Sequence, residues 1–170
     1  MPITLADLPP TADDIAAIWI PETRAKDWTV LCPEIQLLVV DFAEESTKRK
    51  WPLVMIGDAK RTEKRQREFY PDDNPLRYTD HFAVKDPDDG KEKVCALDFR
   101  TKHYTPGERD EVLAWMAQRC PDDEWQRLYH NVGQGMHLHV GYRKLGRLLK
   151  PVWLIARDRG DFNPPNGGTP

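Results

Sequence analysis

The stretch GMHLHVGY at residues 135–142 predicts a β-strand, because polar and apolar side chains alternate along it. Successive side chains of a strand point to opposite faces, so His137 and His139 share one face while Leu138 and Val140 share the other. Two neutral imidazoles on one face of a rigid element suit a divalent transition metal. A lone His-x-His more often marks two imidazoles on the solvated face of a half-buried strand, so the decision depends on the rest of the chain.

Length and composition indicate one globular domain. The 170 residues are 39% hydrophobic and include six Trp, five Tyr and five Phe. The 25 Lys and Arg against 28 Asp and Glu give a net charge of −3, which argues against a dedicated nucleic-acid binder. We expect a monomeric domain at 31–157, between a peripheral segment at 1–30 and a flexible tail at 158–170 that is rich in Gly and Pro.

The cysteines and the N-terminus bear on the cellular compartment. Cys32, Cys95 and Cys120 are odd in number and lack CxxC spacing, so we expect a reducing compartment and no disulfide framework. The start of the chain lacks the pattern of a signal peptide, and the longest apolar run, at 37–40, is too short for a membrane span. The sequence predicts a protein made in the cytoplasm that either works inside the cell or reaches an outside target by lysis or within a particle.

The remaining pattern mixes helices with short strands. Helices are predicted at 33–46, at 63–70 and after Thr105, which caps the third helix with Glu108 at the third position. A solvated turn is predicted at 48–50, and further strands at 52–56, 94–99, 124–130 and 152–155. Strands that lie close together late in the chain favour an α+β fold, with a small, mostly antiparallel sheet flanked by helices.

Two histidines do not complete a catalytic zinc site, which uses three protein ligands and keeps one position for water. His81 follows a Pro-rich turn and is a further candidate ligand. Asp98 is another, because a carboxylate in an apolar strand is costly unless a cation or an arginine meets it. A solvated position at a sheet edge is the alternative for Asp98, while His103 is expected to be exposed and His130 to end a strand.

Three short motifs follow one another along the chain: Thr79-x-His81, Ala96-Leu97-Asp98 and His137-x-His139-Val140. In this order they resemble the zinc peptidases of the Hedgehog/DD-peptidase superfamily. That superfamily includes D-alanyl-D-alanine carboxypeptidases, vancomycin-resistance dipeptidases and phage cell-wall endopeptidases. Upstream, the strand-like run at 54–57 followed by Arg61, Thr62 and Gln66 is similar to the family's arginine-containing segment, so the matched stretch runs from about residue 33 to 143.

The resemblance implies one Zn²⁺ bound by His81, Asp98 and His139, with His137 stabilising charge beside it. It also implies that Arg61 contacts the carbonyl or carboxylate region of a substrate. The family places its His and Asp much closer in sequence than His81 and Asp98, which are seventeen residues apart. The extra residues include Asp-Gly turn chemistry at 85–91, so we expect an inserted hairpin that brings both ends back together.

The sequence does not identify the residue that would act as general base. Family members carry an acid a few residues before the last His, where this chain has Gln134, Gly135 and Met136. Gln134 can orient a water molecule but cannot accept its proton. Candidates for a base elsewhere are Asp122, Asp123, Glu124 and His137.

Three functions stay open at this point. The first is a zinc metallopeptidase that hydrolyses peptidoglycan stem peptides, as a D-Ala-type carboxypeptidase or endopeptidase, at the bacterial cell wall after lysis or within a phage particle. The second is a binding or structural module of the same fold that recognises cell-wall material or a protein partner, which the missing acid favours. The third is nucleic-acid binding through the basic clusters at 60–67 and 143–150; interleaved Glu63 and Glu68 and the negative net charge argue against it.

Overall fold

The computed structural model describes residues 28–52, 56–76, 79, 81–86, 89–121, 124–131 and 135–142, with the backbone alone for 56–58. The predicted strand at 152–155, the flexible tail and most of the peripheral N-terminal segment lie outside the described residues. The helices are α1 (Pro33–Arg49), α2 (Glu63–Phe69) and α3 (Pro106–Arg119). The strands are β1 (Ile56–Asp58), β2 (Val84–Lys85), β3 (Glu92–Lys93), β4 (Ala96–Arg100), β5 (Trp125–Asn131) and β6 (Met136–Tyr142).

Four strands form an antiparallel sheet in the order β1-β4-β6-β5, and β2 pairs with β3 in a separate antiparallel hairpin. The predicted α+β class with a small antiparallel sheet is confirmed. In the centre of the sheet Asp98 lies opposite His139, and Arg100 lies opposite His137. On the other side of β6, His130 of β5 also lies opposite His137. The register therefore brings polar residues of three strands to one region of one face.

The opposite face of the sheet packs against α1. Leu138 and Val140 of β6 are fully buried in the hydrophobic core, which confirms the predicted alternation along this strand. From α1, Phe42 enters the same core at the helical spacing that the sequence indicated. Its ring lies 5.3 Å from that of Phe99 and 5.5 Å from that of Trp115, measured between centroids. The core thus fixes one face of the sheet and leaves the other for the polar cluster.

The end of α1 differs from the prediction. The turn predicted at 48–50 is wrong for its first two residues, because α1 continues to Arg49. Glu45 pairs with Lys48 at 3.7 Å and with Arg49, and both cations lie where the helix dipole favours positive charge. Lys50 then ends the helix in a left-handed conformation with φ 58°.

Helix α3 begins as its sequence indicates. The Thr105 hydroxyl accepts a hydrogen bond from the Glu108 backbone N–H at 3.3 Å, and the Glu108 carboxylate accepts one from the Thr105 N–H at 2.8 Å. The predicted capping box is confirmed. Across the described ranges, no helix combines the length and the apolar character needed to cross a membrane.

We expect Phe42→Ala to lower the free energy of unfolding by about 3–5 kcal/mol, because it leaves a cavity between α1, the sheet and α3. The side chain is fully buried and contacts three aromatic rings. Urea denaturation followed by circular dichroism measures the change, with Phe42→Leu as a smaller perturbation at the same position. A loss below about 1 kcal/mol for the alanine variant would contradict this packing.

Candidate metal centre

Asp98 is the centre of a buried polar cluster. Its Oδ1 atom lies 2.9 Å from Nδ1 of His139 and 3.1 Å from Nε2 of His81. Its Oδ2 atom lies 3.5 Å from Nη2 of Arg61. All four side chains come from different parts of the chain, and the Asp98 residue is only 8% exposed. The alternative of a solvated edge position for Asp98 is therefore wrong, since β4 lies inside the sheet.

The orientation of His81 requires a proton or a metal ion between its ring and Asp98. The Nδ1–H group of His81 donates to the carbonyl oxygen of Ala59 at 2.8 Å. In the neutral ring, Nε2 then carries a lone pair and faces a carboxylate oxygen 3.1 Å away. Two lone pairs repel at this distance unless a proton or a metal ion lies between them. A backbone carbonyl that fixes the tautomer of a histidine is also the usual outer support of a metal ligand.

The chain brings His81 to Asp98 across the inserted hairpin. Strands β2 and β3 pair antiparallel between the two residues, and Gly90 at the tip has φ +70°. The predicted hairpin is confirmed. Before it, the hydroxyl of Thr79 accepts a hydrogen bond from the His81 N–H at 3.4 Å, in a turn that also joins the Phe82 N–H to the Thr79 carbonyl. This local turn and the carbonyl of Ala59 hold the imidazole in place.

The three donor atoms suit a small divalent cation. One ligand atom from each of His81, Asp98 and His139 lies within 4.8 Å of the other two, and all three residues are buried. Ligand atoms around tetrahedral zinc lie about 3.3 Å apart, since each bond is about 2.0–2.1 Å long. The observed spacings of 2.9 and 3.1 Å need only a small outward movement to admit an ion. The group can therefore hold a metal ion, and its members are the three predicted ligands.

The electrostatics of the cluster keep the carboxylate ionised. Burial works to raise the pKa of Asp98, but the charge on His81 and the hydrogen bonds from His139 and His81 outweigh it and hold the pKa well below its ordinary value. Burial lowers the pKa of His137, against the opposing effect of Asp98. Metal binding requires an ionised carboxylate, which the low pKa of Asp98 provides, and imidazole ligand atoms that have released their protons.

Arg61 is held rigidly against the far side of the same carboxylate. Its backbone N–H donates to the carbonyl of His81 at 2.9 Å, and its Nη1 donates to Oε1 of buried Gln66 at 3.0 Å. The guanidinium carbon lies 5.0 Å from the centre of the Phe69 ring. The side chain of Arg61 is 11% exposed. The structure thus brings together Arg61 and Gln66, which the sequence had grouped in one motif.

His137 lies beside the ligand set. Its Nδ1–H donates to the carbonyl of Gly135 at 3.0 Å, and its Nε2 lies 3.8 Å from Oδ1 of Asp98. With the proton on Nδ1, Nε2 is an acceptor and cannot donate to a developing oxyanion. The donor groups for that task are on Arg61, so the predicted charge-stabilising role fits Arg61 better than His137.

Sequence reasoning missed His130, which it assigned to the end of a strand. The residue is 4% exposed and shares the sheet face of the cluster. Its ring centroid lies 4.6 Å from that of His137 and 6.3 Å from that of His139. Burial, followed by the neighbouring charges of His137 and His139, lowers the pKa of His130 to about 3. The available signal was its position in β5, but its partner strand could not be identified from one sequence.

The candidate bases differ in whether the structure describes them. Asp122 and Asp123 lie outside the described residues, as does Gln134, the candidate for orienting a water molecule. Glu124 immediately precedes β5, whose first residue pairs with Tyr142 at the end of the strand pair remote from His130. At about 3.3 Å per residue, β5 separates Glu124 from Leu128, which lies opposite His139, by roughly 13 Å. Glu124 is therefore too far from the cluster to act on a group bound there.

The geometry of this cluster stands without support from known relatives. No protein-family model matches the chain, and comparisons with curated proteins and with solved structures find no match.

Proposed function

We propose that this protein is a zinc-dependent peptidase that hydrolyses amide bonds in peptidoglycan stem peptides, as a D-Ala-type carboxypeptidase or endopeptidase of the Hedgehog/DD-peptidase type. The supporting observation is the buried donor set of His81, Asp98 and His139, with the guanidinium of Arg61 on the same carboxylate. Two imidazoles and one carboxylate leave a fourth position open, which is the pattern of catalytic zinc sites.

The zinc ligands, Arg61 and His137 have different roles in the proposed hydrolysis. Zinc, when bound by His81, Asp98 and His139, supplies a Lewis acid and lowers the pKa of a water ligand to about 7. Arg61 provides fixed donors for the charge that develops on the carbonyl oxygen, or for a terminal carboxylate of the substrate. Its contacts with Gln66 and Phe69 orient it before the substrate arrives. His137 accepts a hydrogen bond through Nε2 and so orients a water molecule or a substrate N–H.

The proposal is tested by measuring zinc content and hydrolysis together. We expect one zinc per chain in the wild type and release of products from purified peptidoglycan or synthetic stem peptides, detected by mass spectrometry. His139→Ala removes a ligand and is expected to lose both zinc and hydrolysis. His103→Ala, which changes an exposed histidine, should behave like the wild type. Unchanged zinc content in His139→Ala would disprove the site.

A binding module of the same fold is the second candidate. Asp98 is engaged in the proposed ligand set, and Glu124 is too far away to replace the missing acid. This candidate predicts that the pure protein retains zinc and binds cell-wall material without hydrolysing it. Product release by the wild type that is lost in His139→Ala would exclude it.

A further inference from the structure

His130 has a hydrogen-bonding capacity that the folded chain leaves unused. Both of its ring nitrogens are buried, and within the described part of the chain neither has a hydrogen-bond partner. A neutral imidazole carries one donor and one acceptor, and a buried polar group without a partner destabilises the folded state. An imidazole at this position is therefore costly in the free protein.

The surroundings of His130 do not require a polar residue for packing. Leu128 lies two residues before His130 on the same face of β5. It is 1% exposed and pairs with His139 across the sheet. An apolar side chain thus packs well on this face, directly against a proposed ligand. The ring of His130 contacts that of His137 at an interplanar angle of 53°, and the Nδ1–H of His137 is satisfied by Gly135. Packing therefore explains a buried side chain at this position, but it does not explain the two ring nitrogens of His130.

We propose that His130 is a ligand-contacting residue of the active site, whose imidazole hydrogen-bonds to a group bound beside His137 and His139. The ligand must both donate and accept a hydrogen bond, which fits an ordered water molecule or the peptide group of the substrate. The inference deepens the proposed peptidase function and rests on it. It assigns a polar role to β5, which the motif comparison did not include.

The test separates ligand contact from a structural role. We expect zinc-loaded His130→Leu to keep its zinc and to have a thermal midpoint equal to or higher than that of the wild type, because two buried unpaired polar atoms are removed. We expect its kcat/KM on a synthetic stem peptide to fall by about 10–100-fold. His130→Asn, which keeps a donor and an acceptor, should recover part of the activity and serves if the leucine variant does not fold. His103→Leu is the matched control for loss of an exposed imidazole.

The kinetic constants identify the ligand group. A fall in kcat at constant KM indicates an ordered water, whereas a rise in KM at constant kcat indicates the substrate's peptide group. Wild-type kcat/KM in His130→Leu would overturn the inference, as would loss of zinc and a lower thermal midpoint in both variants. If the zinc-loaded wild type does not hydrolyse the peptide, the proposed peptidase function is disproved, and the role of His130 is decided separately. Calorimetric binding of the same peptide then decides for His130: weaker binding by His130→Leu supports its role, and equal or absent binding overturns it.

Discussion

Asp98→Ala is expected to abolish zinc binding and to lower hydrolysis by about 10³-fold or more. The carboxylate is the only group that contacts His81, His139 and Arg61 together among the described residues. Without it, two imidazoles remain as ligands and the buried guanidinium of Arg61 loses the charge of Asp98, which is destabilising. Zinc content should therefore fall from one per chain to near zero.

Asp98→Asn limits the structural damage, because it keeps the shape of the side chain and an oxygen that accepts a hydrogen bond from Arg61, while it removes the charge. Metal analysis after dialysis and circular dichroism should find a folded chain with little zinc. Asp110→Asn is the control: this carboxylate is 68% exposed and pairs with Arg109 at the surface. Asp98→Asn with wild-type zinc content would disprove a metal site centred on this residue.

Arg61→Met is expected to lower kcat/KM by about 10²–10³-fold while zinc stays bound. In the proposed function the guanidinium supplies the donors for developing charge, and methionine keeps only the apolar part of the side chain. Arg61→Lys should recover little, because an ammonium group lacks the planar fork that reaches both Gln66 and Asp98. Steady-state kinetics on a synthetic stem peptide measures the change.

Arg65→Met is the matched control for Arg61. Arg65 lies over the same Phe69 ring, with its guanidinium carbon 4.5 Å from the ring centre, but it is 58% exposed and pairs with Glu68. Its loss should leave both zinc content and kcat/KM near the wild-type values. Equal effects of the two substitutions would mean that positive charge near α2, and not the position of Arg61, sets the rate.

Short-range patterns were enough to predict several elements of the fold. The alternation along β6 indicated which side chains enter the core, and the Thr105–Glu108 capping box located the start of α3. The Asp-Gly chemistry at 85–91 indicated a hairpin, and the hairpin explains how His81 reaches Asp98 across seventeen residues. Each of these features depends on residues that are close together in the sequence.

Features that depend on the neighbours of a strand could not be predicted in the same way. Periodicity gives the face on which His130 lies relative to β5, but not that this face adjoins His137, because the strand order was unknown. For the same reason Glu124 remained a candidate base until the pairing of β5 with β6 placed it at the remote end. The end of α1 depended on the ion pairs of Glu45, which extend the helix by a turn.

Asp98 and His139 lie directly opposite each other across β4 and β6, so the proposed metal site depends on correct assembly of the sheet. A slip of one residue in this pairing would turn a whole set of side chains to the wrong face, so the carboxylate would lose its imidazole partner. If the chain binds an ion through both residues as proposed, its two central strands are already aligned. Metal retention would then report on correct folding as well as on the integrity of the site.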